Sequence, residues 1–190
     1  MGLVGYFFIQ MKKLFFSFLF LLFSIVTYAQ TIGGFLDFYL GQSKSEVQNI
    51  VNSKYRGAEW GNNSCKIKDI SLAGESFNRL TLEFQNGILT SAICFRGFDK
   101  AWIDGYNNAE RFLEYAQQEA SNMISRLYAT YKSKYGRESA STNDAIIWRG
   151  NNGNSIKIAY RQQFINQGMG GYSVNCVVNV QYMSSNSGNF

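Results

Sequence analysis

The 190-residue chain contains no histidine and no proline. Without histidine it lacks the side chain that most often serves as general acid, general base or metal ligand near neutral pH. A serine or cysteine nucleophile would have no imidazole to activate it, and no G-x-S-x-G turn is present to present one. Without proline, turns must rest on glycine, asparagine and aspartate, and the 18 glycines supply much of that freedom. Charge is sparse too, at 16% of residues, and scattered. No run of lysine and arginine interleaves with aromatics as a phosphate-tracking stripe would, so nucleic acid is not an expected partner.

Cysteine is nearly as scarce. Cys65, Cys94 and Cys176 form an odd set, which leaves at least one thiol unpaired in a monomer. There is no C-x-x-C pair, and the spacing fits no zinc site. No metal or organic cofactor is expected. What is plentiful is apolar: 46% hydrophobic and 16% aromatic residues fill one core at this length and are too many for a disordered chain.

The N-terminal region reads as an export signal. From Met11 the chain runs "MKKLFFSFLFLLFSIVTYAQ", with Lys12 and Lys13 as a basic start and Leu14 to about Val26 as an apolar stretch. Thr27-Tyr28-Ala29 offers a cleavage site with a small last residue, leaving Gln30 or Thr31 at the new end. A membrane-spanning helix needs roughly 20 apolar residues, more than this run provides. Residues 1–10 place apolar groups where the charged segment should begin, which points to Met11 as the start. The expected organisation is a signal peptide over 1–29, one domain over 30–184 and a flexible tail over 185–190, in the periplasm or outside the cell. Removing 1–29 takes only Lys12 and Lys13 from the 18 basic residues, against 13 acidic ones.

The segment "TIGGFLDFYLGQ" opens the domain as apolar chain with a short strand. Ser43 and Glu46 then stand as S-x-x-E, a capping box, and Val47, Ile50 and Val51 recur at helical spacing to a stop at Gly57. Strands are expected over 65–72, 79–85 and 88–95, the last two joined by Asn86-Gly87, whose residues both tolerate positive φ. That turn pairs Phe84 with Leu89, Leu80 with Ile93 and Asn78 with Phe95 on the core face, and sends Cys94 to the other face beside Arg79.

Residues 96–106 read as an irregular, aromatic-rich connection. A long helix is expected from Asn107, with Asn107 and Glu110 as a second capping box, to about Tyr135 with Gly136 after it. Phe112, Ala116, Ala120, Met123, Leu127 and Tyr131 make its apolar stripe. Strands follow over 145–150, 155–164 and 173–183, with "NNGN" as one turn and the glycine-rich "INQGMGGY" as a loop. In 155–164, Ile156, Ile158 and Tyr160 alternate against Lys157, Ala159 and Arg161.

Each half thus reads helix–strand–strand–strand, and "NSKYRG" (52–57) and "KSKYGR" (132–137) close the two helices. The fold expected is α+β: tandem α-β-β-β repeats forming an antiparallel sheet packed on one face by two helices. Three segments, "LGQSKSEVQNIV", "YKSKYG" and "VNVQYMSS", resemble small exported proteins common in Bacteroidetes-type bacteria. Those carry a "G-x-S-x-x-E-[VF]" helix start, a "KYG" in the second half and an Asn-Gly hairpin. The resemblance covers about residues 35–184. It implies a tandem α-β-β-β arrangement similar to the β-lactamase-inhibitory protein and, more distantly, to outer-membrane assembly lipoproteins of the BamE type. It carries over no catalytic residues, and this chain lacks the lipidated cysteine of those lipoproteins.

Chemistry is hard to find. Cys176 falls on an apolar strand face, the setting of an inert buried thiol. Cys94 reads either as a reactive thiol beside Arg79 or as a small buried residue, and a Cys65–Cys94 bridge stays open. Opposite expected faces argue against a Cys94–Cys176 bridge. The carboxylates Asp37, Glu75, Glu83, Asp99 and Asp104 have no signature spacing for a hydrolytic pair. "NNGNS" lacks the carboxylates of a calcium loop, and "GMGG" precedes no helix. What is left is recognition surface. Trp60, Phe98, Trp102, Tyr106 and Tyr172 fall in connections, where exposed aromatics serve binding or cap the core. A sheet face flanked by loops is the expected interaction surface. The function expected is an exported non-enzymatic protein that binds a protein or cell-envelope component, without a stable membrane span after cleavage. The alternative is an envelope enzyme acting on glycans through paired carboxylates.

Overall fold

The computed structural model describes residues 31–185; the export-signal reading of 1–29 and the tail beyond Ser185 lie outside them. The chain folds as an α+β domain. A small hairpin, β1 (Gly34–Phe35) and β2 (Phe38–Tyr39), precedes α1 (Lys44–Lys54). Then come β3 (Glu59–Trp60), β4 (Ser64–Leu72), β5 (Glu75–Gln85) and β6 (Ile88–Asp104). After α2 (Tyr106–Tyr135) the second half repeats the series with β7 (Ala140–Ser141), β8 (Ala145–Arg149), β9 (Ser155–Gly168) and β10 (Gly171–Met183). The eight later strands form one antiparallel sheet in the order β3-β4-β5-β6-β10-β9-β8-β7. The order is symmetric about the β6–β10 pair. Each half is a helix followed by a meander, and the last strands of the two halves meet at the centre. Each half also carries a two-residue edge strand, β3 or β7, too short to be read from periodicity.

Both helices pack on one face of this sheet. Val47 and Val51 of α1 join Met123, Leu127 and Tyr131 of α2 in a single core with Leu80, Leu82, Ala92, Cys94, Val178 and Val180. The capping box at Ser43 forms as expected, with the Glu46 amide and the Ser43 amide each bonded to the other residue's side chain. α1 is short, and the β1–β2 hairpin occupies the core beside it. Phe35 stacks on Tyr182 at 4.6 Å, and Phe38 on Tyr55 at 5.6 Å.

The hairpin is fastened to α1 by Asp37, whose carboxylate accepts from Lys54 Nζ and, at 3.0 Å, from the Tyr55 hydroxyl. The Lys54 bond holds the Asp37 carboxyl below its usual range, with Tyr55 adding to it. A depressed folded pKa contributes stability that is present above the unfolded value and lost as pH falls through the folded one. Asp37→Asn is therefore expected to lower the melting temperature at neutral pH, with the difference from wild type closing in acid. Melting curves of both proteins from neutral to strongly acidic pH check this, and a difference that stays constant with pH would contradict it.

α2 begins one residue earlier than expected. Gly105, at φ 78°, is its N-cap, and the Asn107–Glu110 box does not form; Asn108 instead donates to the Asp104 carbonyl at 2.9 Å. Its C-terminus follows expectation, with Gly136 at φ 76° donating to the Lys132 carbonyl. The expected stripe is buried except for the partly covered Phe112. Beneath its far end the Tyr131 and Tyr182 hydroxyls share a buried 2.6 Å hydrogen bond.

Three expectations are corrected. Residues 96–104 are strand, because β6 continues to pair with β10 from Arg96 opposite Val178 to Ile103 opposite Tyr172. Residues 165–172 are not a loop: β9 runs on to Gly168, and Met169-Gly170 alone make the turn. The β5–β6 hairpin does start from Asn86 and Gly87, both at positive φ, and pairs Phe84 with Leu89. Beyond that pair Thr90 is an extra residue, a β-bulge, so that Glu83 faces Ser91 and Leu80 faces Cys94. One inserted residue reverses the side on which every later β6 side chain emerges.

Cys94 is therefore buried in the core rather than beside Arg79. Cys176 lies on the same helix-facing side, its strand partner Phe98 standing four residues along β6 from Cys94. It is this spacing, about 13 Å along the strand, and not opposite faces, that separates the two thiols. All three cysteines are free and buried. Burial pushes the Cys94 thiol up to about 12 and the Cys65 thiol up to about 11, against a small opposing effect of Lys44. Native protein is expected to leave a thiol reagent nearly unreacted at neutral pH, and denatured, unreduced protein to titrate three thiols. Fast labelling of the native state would contradict this.

Candidate functional site

The helices cover one side of the sheet. The other side carries no element among the described residues, and its side chains can be read off in rows from the strand registers. One row runs Lys66, Thr81, Ile93, Gln181, Lys157, Ile147. The next runs Lys68, Arg79, Phe95, Asn179, Ala159, Ala145. A third sets Gly97 beside Val177 and Arg161. Five strand spacings from β4 to β8 make this face about 24 Å across.

Its chemistry is zoned. Ile93, Phe95, Val177 and Ala159 form a half-buried apolar ridge over the central strands. Cations flank the ridge on both sides: Lys66, Lys68 and Arg79 on β4 and β5, Lys157 and Arg161 on β9. Arg79 lies over the Phe95 ring at 5.1 Å, so this cation rests on the ridge itself. Lys68 is paired with Glu59 at 2.8 Å. In the centre, Asn179 has a buried Oδ1 with no hydrogen-bond partner among the described residues. Toward one end lies a depression of about 640 Å³ lined by residues 142–145 together with Lys157 and Ala159–Gln163. At another, a polar cavity of about 330 Å³ is lined by Glu83, Ser91 and Gln181 among others.

The aromatics singled out in the sequence do not form one site. Trp60 lies on the outer strand β3, 6.2 Å from Phe84 and with Lys44 over its ring. Phe98 is half-buried and packs into both parts of the core. Trp102 lies on β6, half-exposed, with its indole over Gly171, where any Cβ would collide with it. Tyr106, at the start of α2, does meet Tyr172 of β10, at 5.8 Å, and both meet Phe164 of β9. Four of the five belong to strands and not to connections, because β3 is a strand the sequence did not indicate and β6 and β10 reach further than it indicated. Phe164, Ile165 and Met169 complete an exposed apolar end to which no sequence signal pointed.

The carboxylates are dispersed. Asp37 is held by Lys54 and Tyr55, and Glu75 by two hydrogen bonds from Arg126. Glu83 faces Ser91, and Asp99 lies eight residues further along β6, about 26 Å away. A hydrolytic pair needs roughly 5–10 Å.

Among known proteins, no family model, no curated protein and no solved structure matches this chain. No helix among the described residues is long and apolar enough to cross a membrane.

Proposed function

We propose that this chain is an exported, non-enzymatic binding protein that receives an acidic surface of a protein or cell-envelope component on its uncovered sheet face. It would be one of the small exported tandem α-β-β-β proteins that its punctuation motifs resemble. The observation that carries the reading is the zoning of that face, an apolar ridge between two groups of cations on one antiparallel sheet. An apolar centre with a charged rim is the anatomy of a protein contact. Flanking cations steer an acidic partner toward it and exclude basic ones. The dispersal of the carboxylates weighs for binding over glycan hydrolysis, the alternative.

The reading is tested with a photoreactive residue at Lys157, on this face, or at Asn122, on the exposed side of α2. Incubated with an envelope extract, the first is expected to give discrete adducts. Unlabelled protein should compete them away and added salt should weaken them. The second is expected to give none. Equal labelling from both positions, or none from Lys157, would overturn the reading.

A further inference from the structure

Strand β9 is longer than the neighbour that covers it. β8 pairs only with residues 155–159, and the Tyr160 amide donates to the Asp144 carbonyl just before β8 begins. From Arg161 onward the strand pairs with β10 alone and is exposed. Backbone groups along a strand point alternately to its two sides. The Tyr160 amide points away from β10, so those of Gln162, Phe164 and Asn166 do too. Beyond Asn166 the register with β10 shifts, which ends the regular edge. Residues 162–166, about 17 Å of strand, thus offer outward N–H and carbonyl groups with none of the lysine, proline or bulge that blunts natural edges.

This edge has a stop at one end. The Asp144 carbonyl already takes the Tyr160 amide, and Ala145 already faces Ala159. A chain lying along 162–166 cannot run straight past them; it must end or turn away. Antiparallel pairing, as between all neighbours in this sheet, would bring its carboxyl end to the stop. The 640 Å³ depression at that place is lined by residues 142–145, Lys157 and residues 159–163. It sets Lys157 and Arg161 against one carboxylate, Asp144. Neither cation is within salt-bridge distance of an acid among the described residues. The outward Gln162 N–H adds a donor. A blocked edge ending in cations and a free amide complements a terminal carboxylate.

We infer that this edge captures the carboxyl end of an extended peptide, with its last residue opposite Gln162. The Gln162 amide then donates to the terminal carboxylate, Arg161 supplies the counter-charge, and backbone bonds continue at Phe164 and Asn166. The Gln162 and Phe164 side chains stand on the helix side, where they meet Gln117 at 2.9 Å and Tyr106 at 5.9 Å. The peptide's third residue from the end lies opposite Phe164 and the fourth opposite Ile165, 37% and 48% exposed. Apolar residues are expected at both places. The site works through backbone and a chain terminus, and does not rest on the sheet-face reading above.

The test is an array of hexapeptides anchored by their amino ends, varied at the last four positions, each made as the free acid and as the amide. Fluorescently labelled wild type is expected to bind a subset of the acids, enriched in apolar residues third and fourth from the end. The matching amides should bind about tenfold more weakly, the loss of one charge-assisted contact. Arg161→Gln should weaken the acids and leave the amides unchanged. Phe164→Pro removes an outward N–H that β10 does not use, and should abolish binding of both with an unchanged circular dichroism spectrum. No binding by wild type, or acids and amides bound alike, overturns the proposal. So does self-association of wild type that Phe164→Pro removes, which would give the edge to a second copy.

Discussion

Trp148→Ala is expected to cost about 3–5 kcal/mol of folding stability, the range for removing a large buried aromatic side chain. Trp148 is 1% exposed and is among the largest fully buried side chains. Its ring lies 5.9 Å from Tyr128 and 5.7 Å from Tyr131. Its indole Nε1–H donates to the Gly136 carbonyl at 3.0 Å, satisfying the residue that caps α2. One side chain therefore fills the core beneath the long helix and ties β8 to that helix's end. Alanine would leave a cavity beside the Tyr131–Tyr182 hydroxyl pair and free the Gly136 carbonyl. Trp148→Phe keeps much of the ring and removes the indole bond, a loss of about 1 kcal/mol plus a smaller void. Urea unfolding of the three proteins separates these contributions. An alanine variant within about 1 kcal/mol of wild type would contradict the placement of Trp148 at the heart of the second repeat.

Trp148 also shows what the sequence could and could not reveal. The strand containing it was legible, because "AIIWRG" is apolar, β-branched and bounded by turn residues. Its role was not, since nothing local says that Gly136 and Tyr131 stand above it. The same division runs through the molecule. Ser43 and Glu46, Asn86-Gly87, Gly136 and the α2 stripe act within a few residues, and each element they mark is present. The outer halves of β6 and β9 depend on pairing with β10, and β6 meets it across some 80 residues of chain. Gly97 and the charges at Arg96, Asp99 and Lys100 hid the continuation of β6. Phe98 stands out in the sequence as an aromatic in an unpatterned stretch, and its half-buried ring packs against both parts of the core. The alternation Lys157-Ala159-Arg161 already placed those residues off the core side. Their assembly with Arg79 and Phe95 into one zoned face needed the strand order, which periodicity does not contain.

Deletion of Thr90 is expected to cost no more than about 1–2 kcal/mol and to leave Cys94 buried. Thr90 is the extra residue of the β6 bulge: Phe84 faces Leu89 and Glu83 faces Ser91, so removing Thr90 joins two stretches that are already in register. From Ser91 to Ile103, β6 stays fixed against β10 at the centre of the sheet. Leu89, next to Ser91 after the deletion, falls on the core side by simple alternation. Phe84 and Leu89, 3% and 0% exposed, thus keep their places. The bonds that stitch this end to the approach of α1, from Gly41 to the Leu89 carbonyl, from Leu89 to that of Gln42 and from Lys44 to that of Gly87, keep their partners. What is lost is local: the 3.4 Å bond from the Thr90 hydroxyl to the Glu83 carbonyl and the bond from the Ser184 amide to the Thr90 carbonyl. The costly change is to suppress the bulge without shortening the chain. Leu80 would then face Ile93, and the later β6 side chains, Cys94 among them, would change sides. Urea midpoints of the deletion and wild type, with thiol labelling of the folded deletion variant, measure this. A deletion that prevents folding, or one that folds with a rapidly labelled Cys94, would contradict the register.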